Sequence, residues 1–322
     1  MNQPSRPAVP PNLAIAFGIL AVSTAAIFIR YAQQGAPSLV VAAWRLVIAS
    51  LVLAPLALTR HRAELARLSR GDWALALLSG LFLAIHFATW ITSLEYTSVA
   101  SSVVLVTTTP LWVALISPFT LHERLGKAVI AGMLLALAGG TIVALSDTCT
   151  LQAGRISCPG LGDFLTGRAS LGNLMAIAGA LAAASYITLG RRLRRSMSLV
   201  GYIFVVYSMA ALVLVVMMFS AGLSPFGYSP PIYLWLVLLA LVPQLIGHST
   251  FNWALGYLPA AFVSITLLGE PIGSTILAYF LLGETPTALK IGGALLILLG
   301  IYLASIRPKE TAPQPNPTTP EV

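Results

Sequence analysis

The residues Leu94–Ala144 reappear, without a gap, 161 positions later as Leu255–Ser305. Aligned pairs include Tyr96/Tyr257, Pro110/Pro271, Phe119/Phe280, Glu123/Glu284, Gly132/Gly293 and Gly139/Gly300. The same offset sets Asn12-Leu13 on Asn173-Leu174 and Gly18 on Gly179, so the chain is a tandem duplication. Its units are apolar. Of the 322 residues 57% are hydrophobic and 9% are charged, with mean hydropathy +0.88. A water-facing surface needs roughly 25% charged residues, which excludes a soluble domain.

Apolar runs of about 20 residues recur, the length that crosses a bilayer as a helix. Ten spans are predicted, at 12–29, 38–58, 73–92, 98–118, 126–146, 172–190, 200–222, 232–255, 259–281 and 287–306. Five per copy is an odd number, so the second copy enters the membrane upside down relative to the first. The fold class expected is therefore an all-α membrane protein of ten transmembrane helices, arranged as two inverted five-helix repeats. Many secondary transporters are built this way, with the site near the midplane where the halves meet. The expected layout is a cytoplasmic N-terminal tail at 1–11, repeats at 12–146 and 172–306, an external loop at 147–171 and a disordered cytoplasmic tail at 307–322. Thirteen Lys and Arg residues fall on one side and four on the other. That bias places both termini in the cytoplasm, and it accounts for the net charge of +8 without nucleic acid. The long loop carries Cys149 and Cys158, which either close it as a disulfide, if that side is oxidising, or stay as two thiols.

The run LEYTSVASSVVLVTTTPLWVALISPFTLHERL resembles the end of an EamA domain, as does LGYLPAAFVSITLLGEPIGSTILAYFLLGE. The doubled motif resembles the ten-helix members of the drug/metabolite transporter superfamily. The Glu-Pro of the second copy and the Trp44-Arg45 of the second span fit that pattern. The resemblance implies export or exchange of small metabolites, often amino acids, across a bacterial inner membrane.

Buried polar residues mark the candidate site. Glu270 sits near the middle of the ninth span, where its counterpart is Thr109, and intramembrane ionisable groups are functional candidates by default. The carboxyl could take a proton, recognise a substrate amine or support a kink structurally. Pro271 frees the carbonyl of Leu267, and Pro110 is expected to kink the fourth span in the same way. Gly269 and Gly273 allow close approach of another helix or a ligand. Gln244, His248 and Asn252, four apart, share a face of the eighth span, while His86 and Trp90 lie four apart on the third. Each His could shuttle protons or pack against a neighbouring helix. Arg45, within the second span, could bind a substrate carboxylate, although an architectural role is favoured.

The expected cavity is lined by Trp90, His86, His248, Asn252 and Glu270, with Arg45 and Gln244 as further translocation candidates. No phosphate-binding G-x-x-x-x-G-K-[ST] motif is present, so a gradient, with protons as the candidate coupling ion, is expected to drive alternating access. No cofactor or metal is expected, and a monomer in the lipid bilayer is preferred. The runner-up functions are a cationic-drug exporter, a non-transporting membrane protein and a membrane-embedded enzyme.

Overall fold

The computed structural model describes residues 10–120, 126–146, 150–152, 155–157 and 167–305. The expected Cys149–Cys158 bridge, Glu123 and both terminal tails lie outside these residues. The helices are α1 (Leu13–Ala32), α2 (Ser38–Arg60), α3 (Arg70–Ser93), α4 (Val99–Thr120), α5 (Lys127–Leu145), α6 (Arg168–Leu193), α7 (Leu199–Ser220), α8 (Pro230–Ala254), α9 (Ala260–Leu282) and α10 (Ala288–Ser305). Among the described residues eight are long and apolar enough to cross a membrane; α5 and α10 hold shorter apolar stretches, Ile130–Ile142 and Ala288–Gly300. The chain is thus an all-helical membrane protein, as expected from its periodicity. The one addition is a small antiparallel hairpin between the copies, β1 (Thr150–Gln152) on β2 (Arg155–Ser157), in register Thr150↔Ser157. The most exposed large apolar side chains include the repeat-equivalent Phe119 and Phe280, at 83% and 75%, a surface suited to hydrocarbon and not to water.

The duplication is visible in the packing. A Cβ on Gly139 of α5 would lie 2.5 Å from the Gly293 carbonyl oxygen of α10, and one on Gly300 would lie 2.5 Å from that of Gly132. Each contact is the other shifted by 161 residues, so α5 and α10 cross backbone on backbone about a pseudo-two-fold axis. The same reciprocity recurs elsewhere. Gly18 of α1 packs on Thr250 of α8, and Gly179 of α6 packs on Thr89 of α3. Arg30 Nη1 donates to the Leu94 carbonyl and Arg191 Nη1 to the Leu255 carbonyl, both at 2.7 Å. The most extensive helix pairings, α5 with α10, α6 with α3 and α7 with α2 and α3, all join one copy to the other. The copies are interleaved and do not sit side by side.

Three helices break where the sequence holds proline, and a fourth breaks at Thr24. In α4 the helix interrupts at Thr107 and Thr108, and in α9 a 3-10 turn spans Leu267–Gly269. Pro110 cannot donate to the Val106 carbonyl; the Thr109 hydroxyl does so at 2.8 Å. Pro271 leaves the Leu267 carbonyl to the Glu270 amide. In α8, around Pro243, residues Ala240–His248 widen into a π-type turn. The break in α1, between Ser23 and Ala25, leaves the Ser23 carbonyl to the Ser274 hydroxyl at 3.0 Å.

The ends are clamped across copies as well. The short helix Arg62–Ala66 offers Glu64 to the start of α7, where Oε1 accepts from the Ser198 amide at 2.7 Å. The His61 ring lies 3.2 Å from Glu64 and 3.0 Å from the Ser198 hydroxyl. Burial alone would push the Glu64 carboxyl up. The Ser198 donors and the His61 ring outweigh it and hold the group below the usual carboxylate range. At the far end of the membrane, within the first copy, Glu95 accepts from the Ser38 amide and hydroxyl at the start of α2, so this residue caps a helix. Arg30 meets Glu284 there at 3.4 Å.

Two outcomes follow from this packing. Gly139→Ala pushes a methyl into the Gly293 backbone and should lower thermal stability in detergent by roughly 1–3 kcal/mol. Gly292→Ala, which meets no atom within 4 Å, should be neutral. Glu64, held below its ordinary value in the folded state, stabilises fully above about pH 4.3 and loses that contribution as pH falls through its folded value. Wild type should therefore melt above Glu64→Gln at neutral pH, by about 1 kcal/mol, and the gap should close on acidification.

Candidate functional site

Five helices converge on one internal cavity. It is lined by His86 and Trp90 of α3, Val106, Thr107 and Thr109 of α4, Tyr186 of α6, His248, Phe251 and Asn252 of α8, and Leu267 and Glu270 of α9. Three pairs of these residues are repeat equivalents, Trp90/Phe251, Val106/Leu267 and Thr109/Glu270, so the cavity lies on the pseudo-two-fold axis. Its volume is about 40 Å³, room for two or three waters and not for a metabolite.

Glu270 opens the second half of α9, on the C-terminal side of the 3-10 turn, and is 7% exposed. Its carboxyl makes no hydrogen bond among the described residues. The His86 Nδ1 lies 3.0 Å from the Gly179 carbonyl. A carbonyl only accepts, so Nδ1 carries a proton and donates it there, and a neutral ring would present Nε2 as an acceptor. The His86 ring stacks on Trp90 at 5.7 Å and stands 6.5 Å from the His248 ring, which meets Phe87 edge-on at 5.4 Å. Asn252 is doubly held: Tyr186 donates to its Oδ1 at 2.6 Å, and its Nδ2 donates to the Tyr207 hydroxyl at 3.2 Å. Tyr207 in turn reaches Ser249 at 3.3 Å. Among the described residues no three His, Cys, Asp or Glu side chains converge to hold a metal.

Five of the seven translocation candidates read from the sequence therefore meet in one place: Glu270, His248, Asn252, His86 and Trp90. Gln244 and Arg45 stand apart. Gln244 lies on the π-type turn and lines no part of the cavity. There its Oε1 accepts from Arg45 Nε at 2.6 Å. Gly269 and Gly273 face a helix, not a ligand. Added Cβ atoms there would meet Ile19 and Ser23 of α1. Pro110 and Pro271 sit at the two helix breaks outside the cavity wall. Sequence reasoning missed Tyr186, Tyr207, Thr107 and Phe251. Tyr186 is the single aromatic residue in an alanine-rich run and carried that much signal; Phe251 could have been found as the repeat equivalent of Trp90.

Known proteins resemble this chain in family and fold. The family model described as "EamA-like transporter family" matches residues 10–145 and 170–306. An uncharacterised transporter of Archaeoglobus fulgidus is 21% identical over 302 residues, covering 92% of this chain and 97% of the relative. An uncharacterised transporter of Synechocystis is 35% identical over 86 residues, 26% of this chain and 24% of the relative. A solved crystal structure superposes with a TM-score of 0.69 at 21% identity, over 92% of this chain and 96% of the other, a likeness of fold.

Replacing Asn252 with Leu would strip the Tyr186 and Tyr207 hydroxyls of the partner that joins them. A loss of roughly 1–3 kcal/mol in thermal stability is expected, with Tyr186→Phe costing less, because it leaves one group, the Asn252 Oδ1, without its partner, where Asn252→Leu strips two hydroxyls.

Proposed function

We propose that this chain, which belongs to the EamA-like transporter family, is a secondary transporter that exports or exchanges a small polar metabolite, amino acids being the favoured class, across a bacterial inner membrane. One observation carries the reading: a cavity on the axis between two interleaved copies, lined by polar groups of both and holding a carboxyl with no hydrogen-bonding partner among the described residues. A polar cavity in the middle of a membrane bundle has no packing value, since each polar group there costs free energy unless something pairs with it.

Alternating access supplies the mechanism. The breaks in α4, α8 and α9 border the cavity and are the natural points of bending. A metabolite fits only after the cavity enlarges. Because the copies interleave, the moving bodies are groups of helices drawn from both copies, and not one sequence half rocking on the other. Proton coupling through Glu270 or a histidine, cytoplasmic termini and a functional monomer complete the reading. A cationic-drug exporter is the second reading, favoured by one observation: Trp90 and Phe251 flank the cavity that holds Glu270.

Counterflow of labelled amino acids into liposomes holding the purified protein tests both. Uptake above that of empty vesicles is expected, with Glu270→Gln folded yet reduced at least roughly tenfold, the cost of one charged contact. Uptake unchanged in Glu270→Gln would make this carboxyl architectural. Flux of cationic drugs with none for amino acids would transfer the assignment to the second reading.

A further inference from the structure

We propose that Arg45 is the anion-binding pole of this site: it docks the carboxylate of a substrate whose amine is met by Glu270. The proposal rests on the transporter reading above and adds to it which group recognises which end. Arg45 is 0% exposed in the first third of α2. Its Nε is taken by Gln244, whereas Nη1 and Nη2 have no hydrogen-bond partner among the described residues. One face of the guanidinium is covered by the Phe87 ring at 4.1 Å. What remains is the in-plane edge with two N–H-bearing nitrogens, the fork that holds a carboxylate by two parallel bonds. Nothing on the described chain fills it. The ion pairs found there are Arg30–Glu284 and His61–Glu64, and no carboxylate lies within 4.0 Å of Arg45.

A buried guanidinium with two unmet nitrogens is costly. A purely architectural arginine would be expected to spend those donors on backbone carbonyls, as Arg30 and Arg191 do in this same protein. Arg45 is one ring's depth behind the cavity. The Trp90 ring, on the cavity wall, is 6.0 Å from the guanidinium carbon, and the Phe87 ring beneath Arg45 meets the cavity-lining His248. The π-type turn of α8 links Arg45 to the cavity, since it anchors Arg45 through Gln244 and ends at the cavity-lining His248. A shift of that turn toward ordinary α-geometry moves both residues together and exposes the fork to the enlarged cavity. Opposite charges at two poles select the substrate. A cation alone is repelled by Arg45, an anion alone is repelled by an ionised Glu270, and a small zwitterion satisfies both.

The test uses the full-length protein in liposomes, with counterflow of labelled leucine, phenylalanine and threonine. The competitors are the methyl ester of each, which lacks the carboxylate, and the N-acetyl form, which lacks the amine. Wild type should prefer each parent over both derivatives by roughly ten- to a hundredfold, the range of one lost charged contact. Arg45→Gln should bring the ester ratio close to one while keeping discrimination against the N-acetyl form; Glu270→Gln should do the reverse. Arg45→Lys, which keeps the charge and loses the fork, should fall between and guards against a Gln variant that does not fold. Robust wild-type flux in which the ester competes as well as its parent overturns the assignment of Arg45 and leaves the transporter reading intact. No flux of any parent amino acid overturns this assignment and the amino-acid reading together.

Discussion

The contact on which the structure depends is backbone against backbone, where α5 crosses α10 at four glycines. Inside a bilayer, lipid tails compete with apolar side chains on equal terms, so helices gain little from hydrophobicity alone. Close approach of two glycine-faced helices is one of the few gains left, through dispersion over a long tight seam. Because Gly132, Gly139, Gly293 and Gly300 are equivalent in pairs, the seam also fixes the axis. Everything on that axis is then set opposite its own counterpart, and the cavity is the place where the counterparts stop matching.

Helix breaks place the chemistry. Thr109 and Glu270 occupy the same position in the two copies, each preceding a proline at an interrupted helix. In the first copy the threonine hydroxyl bends back to the Val106 carbonyl and is consumed. In the second copy the Glu270 amide takes the corresponding carbonyl, and the side chain is released to the cavity. One substitution at one site of a duplicated frame thus converts a self-satisfied polar group into an available one.

Much of this was legible in the residues, because a duplication and ten apolar runs leave few folds open. Glu270, His248, Asn252, His86 and Trp90 stood out for a simple reason: polar side chains are rare in such runs, and those that recur every four residues share a face. Two things were hidden. The partition of helices between copies was one, since a repeat says what each copy contains and not which copy it packs against. The placement of Gln244 was the other. Counting by four ranks residues on one helix, and the partner that takes the Gln244 amide, Arg45, stands on another. The glycines at 269 and 273 read as openings for a helix or a ligand, and only packing identified α1 as the occupant.

The reciprocal contacts have a consequence for ancestry and charge. Two separate five-helix chains, inserted in opposite senses, would make every one of them twice by exact symmetry: the glycine crossing, the Gly–Thr pairs, the arginine caps. Such a dimer could never hold one carboxyl on its axis. It would hold none or two, and two facing each other in a dry space repel until one is neutralised. Joining the copies in one chain removes that parity rule. An odd number of charges on the axis is a property that only the fused molecule can have.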